Sequence, residues 1–419
     1  MDRVKECLKN CRLYKFNNRK GIKQLLKIPD NLNLNDIRGE LSSYYNFFYL
    51  KKPDKIKGKM SKEEIRNKYL SIEENLEIYE ERPADYTKDK YRMLINIREK
   101  WLKQTLKRIN KLLSQSLIKK NKKNVEYPIP YLHSSLKKRS YNTNVKAHKN
   151  HKYILAIDLK TFYPSVSYEK IINFFRHDLE LEKDIAEIYT ALCTCPLDDP
   201  QQGNIQYGIG QGLATSPVLA FLTNYRMFEY IYSIAQKSGI EMTVYVDDIV
   251  FSSSKPIEQT FINSLFGIVK KNNLKINKNK VKLYGPNQVK KITGLCIIKG
   301  GSIKVPNSKH FETKIQFEYL ANKIIVISNM DDYFSFYNLF LKFKGNVQFI
   351  ELVEDKIPKK YSDFIKEYKD YFLYGVPKIK KSKIYTKSNV SNDDYKSFVI
   401  MYERLKKKID KVKNNKVIM

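Results

Sequence analysis

The stretch Thr243-Val244-Tyr245-Val246-Asp247-Asp248-Ile249-Val250-Phe251-Ser252-Ser253 constrains the fold more than any other. Apolar and β-branched residues flank an adjacent pair of carboxylates on both sides. The pattern predicts two short strands with Asp247 and Asp248 at the turn between them. A tight hairpin turn ordinarily takes Asn-Gly or Asp-Gly, because its central residues need positive φ. Asp-Asp gains nothing from turn geometry, and its two charges repel. A divalent cation, which takes carboxylate oxygens, would compensate.

A second stretch of the same type lies upstream: Tyr153-Ile154-Leu155-Ala156-Ile157-Asp158-Leu159-Lys160-Thr161-Phe162-Tyr163. It is an apolar strand that ends in one carboxylate. Two strands delivering carboxylates to one place is how a two-metal phosphoryl-transfer site is assembled, with ions about 3.5–4 Å apart. Acidic residues inside apolar runs also stand out in a chain with 78 Lys and Arg against 45 Asp and Glu.

That imbalance, +33 at neutral pH, favours a polyanionic partner, and nucleic acid is the first expectation. With 419 residues the chain can hold two or three lobes around sizeable cores. Five cysteines (Cys7, Cys11, Cys193, Cys195, Cys296) show no CxxC spacing, which argues against a structural zinc site and a disulfide framework. The absence of a long apolar run and of a signal-peptide pattern leads us to expect a cytoplasmic protein with no membrane partner.

Along the chain, residues 1–60 are basic with interleaved Tyr and Phe and predict short helices. Ser61-Lys-Glu-Glu64 has capping-box spacing and opens an acidic helix over 61–82. Residues 91–123 read as helical, with a cationic face. After Tyr127-Pro-Ile-Pro130, residues 131–148 are polar, basic and read as irregular. Residues 168–193 look helical. A Gly/Gln-rich loop from Gly203 to Gly212 leads through Thr215-Ser216-Pro217 into an apolar helix over Val218–Tyr232. Another helix is expected around 256–272 and a strand over Ile292–Ile298. Beyond residue 307 the pattern is helical, aromatic and basic.

Taken in order, these motifs resemble those of reverse transcriptases, specifically the bacterial retron-like and phage-defence branch (abortive-infection and defence-associated enzymes). Tyr245-Val246-Asp247-Asp248 is similar to the family's catalytic hairpin, and Asp158 with Tyr163-Pro164-Ser165-Val166 to its first catalytic strand. Gln211-Gly212-Leu-Ala-Thr-Ser-Pro217 resembles the substrate loop. Asn277 and Lys280 fit the motif after the hairpin. Arg139-Ser140 with Asn144 and His148 is similar to a stretch that retron enzymes carry before the first Asp, and Ile292-Thr293-Gly294 to their Val-Thr-Gly signature.

The resemblance implies an α+β right-hand polymerase: a helical extension over 1–90, fingers over 91–150, a palm of antiparallel sheet plus helices over 151–298, and a helical thumb over 299–419. It implies RNA-directed DNA synthesis by two-metal nucleotidyl transfer. Asp158 and Asp247 would bridge two Mg²⁺ (Mn²⁺ as a substitute), with Asp248 assisting and the Leu159 carbonyl as a further ligand. Lys280 would donate a proton to pyrophosphate or clamp its charge. Tyr163 would clash with a 2′-hydroxyl, Arg92 would hold the triphosphate, and Gln211 and Gly212 would line the nucleotide site. The glycines at 208, 210 and 212 would let backbone approach the nucleotide closely.

Arg139, Asn144 and His148 are expected on the RNA side, with Asn144 and His148 ordering their loop by hydrogen bonds rather than doing chemistry. The implied partners are dNTPs, a noncoding RNA template with its RNA–DNA hybrid product, and an effector protein encoded alongside, in an anti-phage system. Lys309, Lys314, Lys342, Lys344, Lys359, Lys360 and Lys366 would contact phosphates, with thumb Tyr and Phe stacking on bases. No DNA-binding or nuclease module is expected after the thumb, which argues against a group II intron maturase. A template-independent or protein-primed polymerase of the same fold, and a non-catalytic RNA-binding scaffold, stay open as alternatives.

Overall fold

The structure, a computed structural model, describes residues 2–34, 36–51, 61–70, 78–79, 82–83, 85, 87, 90–120, 125–197, 205–372 and 392–417. It divides into two units, Met1–Lys52 with Glu77–Ile303 and Pro53–Leu76 with Lys304–Met419. The architecture is α+β, as the sequence implies.

The larger unit opens with helices α1 (Arg3–Lys9), α2 (Arg19–Leu26) and α3 (Ile37–Ser42). Asp2, Asn18 and Asp36 cap them, each side chain accepting a first-turn N–H that the helix leaves unpaired. Helix gives way to strand at residue 45, however. Tyr45–Lys51 is strand β1, antiparallel to β2 (Ile78–Tyr79) and β3 (Tyr91–Ile97) in the order β2-β1-β3. Its aromatic run has no 3.6-residue period and suits a half-buried pleated surface.

The acidic helix is shorter than expected. It is α4 (Lys62–Leu70), with Ser61 and Glu64 exchanging both capping-box bonds. Residues 71–77 lie outside the described residues, and α4 belongs to the smaller unit. The described residues of 1–90 are therefore mixed helix and strand rather than a helical extension.

Helix α5 (Lys100–Ser116) buries Leu102, Leu106, Ile109 and Leu113, one stripe at three- and four-residue spacing, so Lys103, Lys107 and Lys111 fall on the opposite face. A two-residue ladder of β4 (Lys119–Lys120) and β5 (Val125–Glu126) follows. The stretch read as irregular contains α6 (Tyr141–His148), opened by a capping box in which Ser140 and Thr143 bond reciprocally.

Strand β6 (Tyr153–Lys160) comes next, then α7 (Tyr168–Asn173), a π turn over Phe174–Asp178, and α8 (Lys183–Cys193). Strands β7 (Cys195–Pro196) and β8 (Tyr207–Gly208) pair across the Gly/Gln loop, whose Gly203 lies outside the described residues. The apolar helix is two, α9 (Ser216–Leu222) and α10 (Tyr225–Lys237), parted at Thr223-Asn224.

The central sheet is then completed by β9 (Glu241–Tyr245), β10 (Asp248–Ser253), β11 (Lys275–Ile276) and β12 (Lys282–Tyr284), with helix α11 (Gln259–Lys271) between β10 and β11. Its order is β11-β6-β10-β9, and β12 also pairs with β6. β6 and β10 sit centrally and bury residues on both faces, which is why they read as nearly continuous apolar runs. The hairpin β13 (Lys290–Ile292)–β14 (Leu295–Ile297) turns through Thr293-Gly294.

In the smaller unit α4 joins α12 (Asn307–Lys323), α13 (Met330–Glu354), α14 (Lys359–Phe372) and α15 (Asn392–Val417). Its core is aromatic: Tyr333, Tyr337, Phe340, Phe343, Phe372 and Phe398 are all essentially inaccessible. Phe340 stacks on Phe372 at 4.8 Å between centroids. These rings pack on one another, so they are not offered for base stacking. Burial of about 150–250 Å² per ring is what holds a unit this small together. Two of its expected phosphate-binding cations are also engaged internally: Lys309 and Lys342 flank the buried Glu312 at 2.7 and 3.7 Å. No helix among the described residues is long and apolar enough to cross a membrane.

Candidate active site

Strand register brings the three carboxylates together. The Cα of Asp248 faces that of Asp158 across β10 and β6, and that of Tyr245 across β10 and β9. Directly opposed residues of an antiparallel pair carry their Cβ atoms about 4.5–5.5 Å apart on one face. The hairpin turn is therefore Val246-Asp247, and Asp248 opens the second strand rather than sharing the turn. Leu159, next to Asp158, donates its N–H to the Asp247 carbonyl at 2.9 Å and ties the turn to β6.

The turn is strained. Val246 has φ +61°, a left-handed conformation that costs a side chain of its type of order 1–2 kcal/mol. Two groups around the turn hold it in place: the Ser134 hydroxyl accepts the Val246 N–H at 3.1 Å, and Leu159 takes the Asp247 carbonyl.

Asp158 is held from the other side by the segment after β11. Asn277 donates its backbone N–H to the Asp158 carbonyl (2.8 Å) and its side-chain amide to Oδ2 (3.2 Å). Lys280 donates its ammonium to Oδ1 at 2.8 Å. Lys280 thus meets the carboxylate cluster directly. Burial pushes the Asp248 carboxyl up to about 6, the charges of Asp247 and Asp158 add to this, and Lys280 opposes it. Asp247 is also raised, first by burial and then by Asp158, while Lys280 and Arg92 pull it down. Arg92, on β3, therefore acts electrostatically on the same cluster. Tyr163 lies close by as well: burial, then Asp247 and Tyr245, push its phenol up to about 12.

The loop of Gln211 and Gly212 is fastened to β3, with Ile95 N–H donating to the Gln211 carbonyl at 2.9 Å. Gly212 has φ +118°, and a Cβ there would overlap the Ile95 carbonyl; one at Gly208 would meet the Val166 carbonyl. Close approach of the protein's own backbone already requires these glycines, so nucleotide access is not needed to explain them.

The expected RNA-side residues fall elsewhere. Asn144 and His148 are fully buried on one face of α6 and cannot present themselves to RNA. His148 sits between two hydroxyls, with Nε2 2.7 Å from Thr243 Oγ1 and Nδ1 2.7 Å from Ser252 Oγ. Asn144 donates to Thr293 Oγ1 at 3.4 Å. Arg139 is half-buried, its guanidinium 4.2 Å over the Tyr127 ring and donating to the Pro130 carbonyl. Sequence reasoning also missed Ser134, Thr243 and Ser252 as parts of the site. Polar residues at inward positions of apolar strands were the available signal for the last two.

Could this cluster hold a divalent cation? Among the described residues no three acidic, His or Cys side chains are closed into a metal cage. The donor set nevertheless fits one: only carboxylate oxygens, with Asp247 and Asp248 raised first by burial and then by the neighbouring carboxylates, a crowding that a cation would relieve.

The chain is similar in sequence to known proteins. Over 182 residues the chain is 28% identical to Retron Se72 reverse transcriptase of Salmonella heidelberg (strain 579083-10), covering 42% of this chain and 44% of that one. Over 228 residues it is 28% identical to Retron Ec86 reverse transcriptase of Escherichia coli, covering 54% and 67%. The match thus spans about half the length of these relatives. Apo telomerase from Candida Tropicalis is a distant structural match (TM-score 0.38, 10% identity, 63% of this chain and 53% of that one). Residues 81–323, more than half of the chain, match the model of the family Reverse transcriptase (RNA-dependent DNA polymerase), and the chain belongs to that family.

Proposed function

We propose that this chain is an RNA-directed DNA polymerase whose reacting centre is the cluster of Asp158, Asp247 and Asp248. The observation that carries this reading is the register of β6 and β10, which sets Asp158 opposite Asp248 beside the turn holding Asp247. When bound, two Mg²⁺ ions, with Mn²⁺ as a substitute, would supply charge neutralisation at the attacking 3′-hydroxyl and the leaving pyrophosphate. Asp158, Asp247 and Asp248 are the residues to hold them, with the Leu159 carbonyl beside Asp158 as a further oxygen.

The protein's own groups then have distinct tasks. Lys280, fixed against Asp158, is placed to clamp or protonate a leaving pyrophosphate. Arg92 adds positive charge from β3 for the triphosphate. The Tyr163 ring, near Asp247, is a barrier to a 2′-hydroxyl and so selects deoxynucleotides. Gln211 and Gly212 shape the floor beneath the nucleotide from a loop braced on β3.

In this reading β1–β3 and residues to about 150 are fingers, residues 151–298 the palm, and the helical unit with α4 the thumb. The template is a partner noncoding RNA, the product an RNA–DNA hybrid, and the setting a bacterial anti-phage system with an effector protein encoded alongside. The resemblance of the motif series to retron-like and phage-defence enzymes is what supports these last points. Purified protein given a primed RNA, dNTPs and Mg²⁺ should extend the primer. Asp158→Asn, Asp247→Asn and Asp248→Asn should each lower extension by at least about 10³-fold; full activity in any of them would remove that residue from the centre. Sequencing the nucleic acid that co-purifies with the chain tests for the noncoding RNA.

A further inference from the structure

The segment 131–148 has no task in the reading above, yet it touches the Asp-bearing hairpin at three levels. Its first residues run along the outer edge of β9. Tyr131 accepts the Val244 N–H at 2.7 Å, His133 donates its N–H to the Val244 carbonyl at 2.9 Å, and Leu132 bridges Val244 in parallel. β9 would otherwise end the sheet with unpaired edge groups. One residue further on, the Ser134 hydroxyl accepts the N–H of Val246, the left-handed residue next to Asp247.

At its far end His148 reaches both strands of the hairpin. Thr243 of β9 lies opposite Val250 of β10, Ser252 lies two residues further along β10, and one imidazole spans the two hydroxyls. All three side chains are 0% exposed, so no water competes for these bonds. A neutral ring has one donor and one acceptor, and two hydroxyls can complement both. Ser252 also bonds the His151 ring at 2.8 Å, which extends the chain of bonds toward the surface.

We propose that residues 131–148 form a cradle that fixes the Asp247 turn, with Ser134 and His148 as its positioning residues. This rests on the polymerase reading for its kinetic consequence, but not for its structural one. Ser134 sets the main chain at the strained turn, and His148 locks the two strands whose register carries Asp248. Neither residue touches substrate. A displacement of about 1 Å at the carboxylates is enough to cost on the order of 10²-fold in rate, so the effect should fall on turnover rather than on nucleotide binding.

The test uses full-length protein with Ser134→Ala, His148→Ala and His148→Gln, the last carrying a donor and an acceptor on one planar group. Hydrogen exchange of the 241–253 peptide is read first. Ser134→Ala and His148→Ala should accelerate it at least tenfold, with the helical unit unchanged, and His148→Gln should restore most of the protection. In primer extension the two Ala variants should lose at least tenfold in kcat with KM for dNTP within twofold, and His148→Gln should recover. Ser134→Ala removes a single bond and serves if His148→Ala does not fold. Wild-type exchange in Ser134→Ala, or wild-type kcat in both Ala variants, overturns the cradle. A wild-type protein that incorporates no nucleotide overturns the polymerase reading instead, and the exchange result still decides for or against the cradle.

Discussion

Asp248 carries its carboxyl at about 6 against an ordinary 3.8, so the folded protein takes up a proton there that the unfolded chain does not. Between those values stability falls as pH rises, because the folded state must give up a proton it holds more tightly. Above about pH 6 the charge is fully present, crowded by Asp247 and Asp158, and its cost is complete. Asp248→Asn removes the titration. In EDTA the variant should melt roughly 2–4 °C higher than wild type at pH 7.5, with the gain vanishing toward pH 4. A melting curve unchanged or lowered at pH 7.5 would refute this. The three carboxylates were legible in the sequence because charge inside an apolar run is visible without coordinates. Ser134 was not, since a hydroxyl that serves one distant main-chain N–H leaves no local pattern. His148 was misplaced for a related reason. A polar residue in a basic stretch looks exposed until the two hydroxyls that satisfy it, some hundred positions away, are known.

Helix α6 contributes an acid-sensitive element. Burial first, then His133 and His151, hold the His148 ring down to about 3, and burial with Arg139 does the same to His133. Both rings are neutral in the fold, faced by Thr243, Ser252 and Thr143 hydroxyls. Because the folded values lie below the ordinary 6.5, their contribution is complete above that pH and is lost as pH falls toward 3. Wild type should therefore lose melting temperature between pH 7 and 4 more steeply than His148→Gln; parallel curves would refute the assignment. Other elements show what sequence could not supply. β1 finds its β3 partner some forty residues downstream, and α6 appears where polarity suggested a loop. Both depend on tertiary partners, whereas β6, β9 and β10 announced themselves through their own apolar runs.

For the whole molecule, the excess of cations predicts RNA binding that weakens steeply with salt. Each phosphate-neutralising Lys on a single strand should contribute about 0.7 to the slope of log K against log salt. Lys342, engaged beside Glu312, should leave that slope unchanged when replaced by Gln, while the exposed Lys366→Gln should reduce it by about one contact. Filter binding across a salt series separates the two, and equal effects would show that internal pairing does not decide which lysines face RNA. Charge and helical periodicity made this unit's composition readable. That its aromatic rings pack inward was not, because stacking on a base and stacking on a neighbouring ring ask for the same residues.

The chain passes between the two units three times, after Lys52, after Leu76 and after Ile303, because α4 is contributed from within the amino-terminal half. Tyr69 of α4 accepts from Gln316 through its carbonyl and lies edge-on to Phe311, and Leu70 packs against the aromatic core. Cutting the polypeptide at 303 would thus not liberate a clean catalytic fragment: it would leave a helix stripped of its companions, with an apolar flank open to self-association. An expressible minimal version must remove that helix together with the carboxyl-terminal portion and bridge the two cut ends with a short linker.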